Sequence, residues 1–205
     1  MSVTDATATV AAGLAFGLSL NVAIGPQNTF ILRQGLLRHR VGTVVIICSL
    51  SEVLLIVAGV TGVGAVIEGR QHLLLVVRMA GSAFLLIYAA LAARRAARPA
   101  QVRVELQGES ASWASVVLAS LAFTWLNPWV YLDTVVLTGS VANSRHSGHW
   151  WFAGGAILAG ISWFAGLGFG ARLLNSVFTR PRAWQVLDVV VAVVMTVTAL
   201  RVLSN

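Results

Sequence analysis

Long apolar segments dominate this sequence, and they restrict the fold more than any other feature. A helix needs about 20 apolar residues to cross a membrane. Six segments of that kind can be marked out: Thr9–Leu32, Val41–Ile67, Leu73–Ala93, Trp113–Leu137, Trp150–Ala171 and Trp184–Leu203. The chain is 58% hydrophobic and 10% charged, whereas soluble domains carry about 25% charged residues. The sequence therefore predicts an all-α integral membrane protein with six transmembrane helices in one domain, embedded in a lipid bilayer.

The single long polar connection, residues 94–112, divides the chain into two halves of three segments, 1–93 and 113–205. All fourteen basic residues are Arg, and ten of them lie in the first, third and fifth connections. Arg70 and Arg145 lie in the other connections, Arg201 lies on the same side near the end of the sixth segment, and Arg78 lies within the third segment. Basic connections stay in the cytoplasm. We therefore expect a cytoplasmic linker and both termini on the periplasmic or extracellular side.

Three segments per half is an odd number, so two related halves would enter the membrane from opposite sides as an inverted repeat, a common plan of transporters. Pro26 lies in the first segment of one half and Pro128 in the first segment of the other. Each follows a residue suited to a turn, Gly25 or Asn127. We expect the first helix of each half to be broken at Gly25–Pro26 and at Asn127–Pro128. A simple proline kink is the alternative at both positions.

A broken helix inside a membrane leaves backbone groups that only protein or a water-filled cavity can satisfy. Helix amides suit a carboxylate and free carbonyls suit an ammonium, so the breaks favour a small substrate that carries both groups, such as an amino acid. The polar side chains near the first break, Asn21, Gln27 and Asn28, support a polar cavity. One helix face holds Gly13, Gly17, Asn21, Gly25 and Asn28. For its glycines alone, close helix packing is the favoured interpretation.

Carboxylates deep in a membrane segment are costly, and they indicate function by default. Glu52 is the twelfth residue of the 27-residue segment Val41–Ile67, and Asp133 follows Pro128 by five residues. No Lys is present to neutralise them, so they could form an anionic site for a cation, a proton, or each in turn. A hydrogen-bonded packing acid that stays neutral is the alternative. Arg78 and Asp188 lie nearer the starts of their segments, where a structural pair or an anchor is favoured.

Other chemistries find little support. The four His residues lie in connections or at segment edges, so we expect no metal site and no other cofactor. The single Cys48 excludes a disulfide or a CxxC redox pair within one chain. No GxGD-type motif accompanies the two acids, so we expect no intramembrane protease and no enzyme. The Arg residues lack interleaved aromatics, and we expect no nucleic-acid partner. Gly166 and Gly170 could pack within one chain or in a homodimer.

Several motifs resemble the L-lysine and L-arginine exporter family (LysE/ArgO type). They are GPQN and RQG at 25–28 and 33–35, SEVLLIVAG at 51–59, TWLNPWVYLDT at 124–134, SWFAGLGFGA at 162–171 and VVVAVVMTVTAL at 189–200. The resemblance implies a six-helix protein of the bacterial inner membrane that expels basic amino acids at the expense of the proton gradient. One departure concerns Glu52, because the family usually has Asp at this position.

The resemblance and the residues together predict an exporter of L-arginine, L-lysine or both, by proton antiport with alternating access. The substrate cation would meet Glu52 or Asp133, which would also carry the proton. The substrate-binding set is completed by Asn21, Gln27, Asn28 and Asn127. An exporter of neutral amino acids or other small cations on the same scaffold is the alternative.

Overall fold

The computed structural model describes residues 2–22, 25–62, 71–97, 112–174, 178 and 181–204. In these ranges the chain forms helices and turns, and no strand. We number the helices α1 (Val3–Asn21), α2 (Pro26–Leu37), α3 (Val41–Val60), α4 (Gln71–Ala97), α5 (Trp113–Trp125), α6 (Pro128–Asn143), α7 (His149–Gly170) and α8 (Pro181–Ser204). Two short 3₁₀ turns, His146–Gly148 and Ala171–Leu174, flank α7.

Length and apolar composition confirm the predicted all-α membrane protein. Five of the described helices, α1, α3, α4, α7 and α8, contain a stretch long and apolar enough to cross a membrane. The pair α5 and α6 passes the same test together and is bent by 56°. These ranges differ from the predicted segments mainly at their ends. For example, α1 begins at Val3 because Ser2 and Asp5 form a capping box with reciprocal hydrogen bonds.

Both predicted helix breaks are present. Gly25 caps the N-terminus of α2 and Pro26 is its first residue. Asn127 caps α6 with its side chain and Pro128 is its first residue. Proline suits the first position of a helix, because the amide hydrogen that it lacks would have no partner there. Each break is thus the start of a new helix and not a kink in a continuous one.

The first broken helix follows α7. A Cβ atom on Gly13 would collide with the backbone of Phe152, near the start of α7. A Cβ on Gly35, in α2, would collide with Gly168 near the end of α7. Thus α1 and then α2 run beside α7 in the same direction. The packing interpretation applies to Gly13, and also to Gly17, which lies against Ala156.

The second broken helix follows α3 in the same way. The indole nitrogen of Trp125, at the end of α5, donates to the hydroxyl of Ser51 at 3.1 Å. Further along, Gly139 of α6 lies directly against Gly59 of α3. Each broken helix therefore packs along the second helix of the other half, as an inverted repeat would require. The repeat itself stays a prediction.

Helices α4 and α8 pack against each other in opposite directions. Gln185 near the start of α8 donates to the carbonyl of Ala96 at 3.2 Å, and Ser82 donates to that of Ala199 at 3.5 Å. Because the end of α2 also meets the start of α8 in the ion pair described next, the start of α1 and the end of α8 lie at the same end of the bundle. We call this end the terminal face.

At the opposite end, Asp188 joins three helices, and we call this end the ion-pair face. Asp188 is 0% exposed. Its Oδ1 accepts from Arg33 of α2 at 2.5 Å and from Arg95 of α4 at 3.2 Å. The guanidinium of Arg95 also lies 5.6 Å from the centre of the Tyr88 ring. Asp188 is thus a structural ion-pair residue, as favoured from the sequence, whereas the side chain of Arg78 lies outside the described residues.

The predicted linker begins within a helix. Helix α4 continues to Ala97, so the first residues of the predicted linker are helical and place Arg95 against Asp188.

Beside Gly166 and Gly170, a Cβ atom would meet open space. These two glycines therefore do not mediate close packing within the chain, and a homodimer stays a prediction.

Candidate functional site

A cavity of about 570 Å³ lies where the two helix breaks meet. This volume is within the range of about 300–1,000 Å³ that is usual for small-molecule sites. The structure places all six polar residues predicted to bind substrate around it: Asn21, Gln27, Asn28, Glu52, Asn127 and Asp133. Gly25 and Pro26 also line this cavity. Residues separated by more than a hundred positions in the chain are thereby brought together.

Glu52 presents its carboxylate from the middle of α3. The side chain is 7% exposed. Its Oε1 accepts a hydrogen bond from the side-chain nitrogen Nδ2 of Asn21, at the end of α1, at 3.1 Å. Its Oε2 is buried and has no hydrogen-bond partner among the described residues. A buried carboxylate oxygen without a partner is costly, so this oxygen is suited to a proton or a bound cation.

Asp133 lies in an unusual part of α6. Residues Tyr131–Thr138 form a π-helical turn, in which the hydroxyl of Thr138 donates to the carbonyl of Asp133 at 2.7 Å. Such wide turns are rare and often occur at functional sites. The Asp133 side chain is partly exposed and lines the cavity. It forms no ion pair with the described Arg residues.

Side chains at the first break hold the ends of α1 and α2 together. Asn28 donates from its amide nitrogen to the carbonyl of Asn21 at 2.7 Å. Its side-chain oxygen accepts from the indole of Trp163, in α7, at 3.3 Å. Gln27 is buried beside the Cys48 thiol. The end of α1, the start of α2 and the middle of α7 thus share one hydrogen-bonded network.

The second break is satisfied in a similar way. The hydroxyl of Tyr131 donates to the carbonyl of Trp125 at 2.8 Å, and the side chain of Asn127 accepts from the amide of Trp129 at 3.2 Å. These bonds replace partners that a continuous helix would have supplied. Asn127 is therefore a helix cap as well as a residue of the cavity wall.

The cavity extends from the level of Glu52 toward the terminal face. Gly17, Ile56, Thr138 and Ala156 all line it, and each lies closer to that face than Glu52 does. On the other side, toward the ion-pair face, an aromatic cluster fills the space between the helices. Its members, which we call the aromatic layer, are Phe30, Phe84, Tyr88 and Phe123.

The aromatic layer is closely packed. The Phe123 ring lies 4.7 Å from the Phe30 ring and 4.8 Å from both the Phe84 and Tyr88 rings, centre to centre. Phe123 is 0% exposed. Beyond it lies the Asp188 ion pair described above. Among the described residues, the aromatic layer and this ion pair therefore lie between the cavity and the ion-pair face.

Several cavity residues escape prediction from the sequence. Three are threonines of α5 and α6, one is an arginine near the end of α8 and one is a tryptophan beside the second break: Thr124, Thr134, Thr138, Arg201 and Trp129. The threonines could have been found as polar residues within apolar segments. The position of Trp163 against Asn28 depends on tertiary packing alone. Among the described residues, no group of three or more His, Cys, Asp or Glu could hold a metal ion.

Sequence comparison decides the family. A family model described as LysE type translocator matches residues 18–205. The chain belongs to the LysE type translocator family. This confirms the resemblance drawn from the motifs. LysE type proteins are transporters, so the chain is a multi-pass membrane transporter and not an enzyme.

Relatives within the LysE family are similar over nearly their whole length. A candidate amino-acid transporter of Mycobacterium tuberculosis is 47% identical over 91% of this chain and 92% of the relative. The lysine exporter LysE of Corynebacterium diphtheriae is 35% identical over 95% and 98%. The arginine exporter ArgO of Klebsiella pneumoniae is 37% identical over 89% and 87%. No solved structure matches the chain.

Proposed function

We propose that this transporter exports basic amino acids, L-arginine, L-lysine or both, across the bacterial inner membrane. The observation that carries the proposal is one cavity whose wall holds two carboxylates, Glu52 and Asp133, against one arginine, Arg201, among the described residues. A cationic side chain suits such a cavity better than a neutral one, because it balances the second carboxylate. The names of the LysE and ArgO relatives support the same substrate class.

The cavity can hold an amino acid in one orientation. The N-terminus of α2 lines it through Gly25, Pro26, Gln27 and Asn28. Helix N-termini favour anions, so this part of the wall suits the substrate α-carboxylate. The substrate ammonium or guanidinium then reaches the unpartnered Oε2 of Glu52 or the carboxylate of Asp133. The side-chain amides of Asn21 and Asn127 complete the polar contacts.

Export of a cation against its electrochemical gradient needs a second, coupled ion. The cell interior is negative, and moving one positive charge out costs about 2.3 kcal/mol per 100 mV. A carboxylate that binds either a proton or the substrate cation makes the two compete, which is the minimum requirement for exchange. Glu52 and Asp133 can serve this purpose. One proton moving in for each cation moving out is electroneutral and draws on the pH gradient alone.

Alternating access would require the cavity to open to each side in turn. The cavity reaches toward the terminal face, while the aromatic layer and the ion pairs of Asp188 close the other side. Opening toward the ion-pair face would separate Phe30 from Phe123, and Arg33 from Asp188. We infer that substrate enters by this second opening, and that the described arrangement is the state that releases it.

We expect the terminal face to be periplasmic and the ion-pair face cytoplasmic, because most Arg residues belong to the latter side. Cysteines introduced at Thr4 and at Gln101, with Cys48 replaced, should then label from opposite sides of the membrane with an impermeant thiol reagent. The Thr4 variant should react in intact cells and the Gln101 variant only in opened cells. Reaction of both variants in intact cells would disprove this orientation.

Transport of labelled arginine by the reconstituted protein tests the function. We expect arginine or lysine to leave loaded proteoliposomes chemically unchanged and faster than from protein-free vesicles. Leucine, of similar size but without a charged side chain, should not compete for this exit. Competition by leucine equal to that of lysine would favour the neutral amino-acid alternative.

A further inference from the structure

Gly160, in the middle of α7, lies directly against the Glu52 carboxylate. A Cβ atom built on Gly160 would overlap Cδ, Oε1 and Oε2 of that group. Gly13, Gly17, Gly35, Gly59, Gly81, Gly139, Gly155 and Gly168 are also close-packed, but each of them meets backbone atoms or apolar side chains. Of these nine close-packed glycines, Gly160 is the one that borders a carboxylate.

A glycine in the interior of a helix needs a reason, because it costs up to about 1 kcal/mol relative to alanine. At Gly160 the reason is space. The Glu52 side chain extends from α3 across to α7 and occupies the volume that a methyl group would fill. If residue 160 carried a methyl group, the carboxylate would have to move, and its hydrogen bond from Asn21 would lengthen or break.

We propose that Gly160 is a positioning residue that fixes where the Glu52 carboxylate lies in the cavity, and thereby sets the affinity for the substrate cation. This inference rests on the proposed export of basic amino acids and deepens it. Gly160 leaves room for a full glutamate side chain, with Oε1 held by Asn21 and Oε2 left for the cation. The length of the acid at position 52 and the size of residue 160 are therefore matched.

The structure also indicates that Gly160→Ala should fold. The atoms that the added methyl group meets are the far end of a side chain and not backbone, so the carboxylate can move while the helices stay in place. By contrast, a methyl group on Gly155 would meet the carbonyl of Val10. Gly154 on the same helix has open space beside it. Gly154→Ala is therefore the matched control.

The test compares four variants, Gly160→Ala, Gly154→Ala, Glu52→Asp and the double variant Gly160→Ala with Glu52→Asp. For each, the apparent KM for arginine export from proteoliposomes and the thermal unfolding temperature in detergent are measured. We expect Gly160→Ala to raise KM by about tenfold, the effect of losing roughly one hydrogen bond to a charged group. Gly154→Ala should leave KM unchanged. In the shorter-acid background of Glu52→Asp, adding Gly160→Ala should change KM little.

A simple packing defect would behave differently. It would lower the unfolding temperature equally in both backgrounds, and the shorter acid would not rescue it. Equal KM effects of Gly160→Ala in both backgrounds, or a KM like that of Gly154→Ala, would overturn the proposal. If the wild-type protein moves neither arginine nor lysine, the proposed function fails, and the unfolding temperatures of the four variants still decide whether Gly160 and Glu52 are coupled.

Discussion

Glu52→Gln should abolish export of arginine while the protein stays folded in the membrane. The amide keeps the shape of the side chain and can still contact Asn21, but the negative charge and the exchangeable proton are lost. Removing one partner of a buried charge pair costs about 2–5 kcal/mol, and each 1.4 kcal/mol corresponds to about tenfold in affinity. We therefore expect a loss of about 30-fold or more in the rate of labelled arginine efflux at low substrate concentration.

Two variants give this result its meaning. Glu52→Asp keeps the charge but shortens the side chain, so it should retain partial activity. Asp5→Asn makes the same acid-to-amide change at the exposed start of α1, away from the cavity, and should export normally. Near-normal export by Glu52→Gln would mean that Glu52 is a neutral packing acid and does not take part in export.

Asp133→Asn should also abolish export, although Asp133 lies in different structural surroundings from Glu52. Asp133 is partly exposed to the cavity and lies in the π-helical turn of α6, whereas Glu52 is buried and bonded to Asn21. The substitution leaves the backbone carbonyl of residue 133, which the Thr138 hydroxyl contacts, unchanged. The turn should therefore persist, so that the unfolding temperature stays near that of the wild type while export is lost.

Thr138→Val is the matched control for Asp133, because it removes the hydroxyl that contacts the carbonyl of residue 133 but leaves the carboxylate in place. If Asp133 acts through its charge, Thr138→Val should keep more activity than Asp133→Asn. The opposite order, with Asp133→Asn nearly active, would mean that the shape of the turn matters and the acid does not.

The positions of the two helix breaks could be predicted from the sequence because proline acts locally. Pro26 and Pro128 cannot donate an amide hydrogen bond, and Gly25 and Asn127 suit the preceding cap. The apolar segments were also predictable, because the bilayer sets their length. Polar residues within them, such as Glu52, had to face the interior, since lipid offers no partners.

Contacts between distant segments could not be predicted in the same way. The positions of Gly160 against Glu52 and of Trp163 against Asn28 depend on how α7 packs beside α1 to α3. A glycine in a glycine-rich helix gives no local sign of its neighbour. Likewise, Asp188 could be expected to have a structural partner, but only the fold brings both Arg33 and Arg95 to it.

Arginine flux under an imposed pH gradient, at clamped voltage, tests the central proposal most directly. Proteoliposomes loaded with labelled arginine are placed in medium of lower pH, with potassium and valinomycin holding the voltage at zero and with sodium absent. We predict that arginine leaves faster as the pH difference grows, that protons enter as it leaves, and that Glu52→Gln and Asp133→Asn abolish both fluxes. Arginine flux that ignores the pH gradient, and follows voltage or a sodium gradient alone, would contradict proton exchange at these carboxylates.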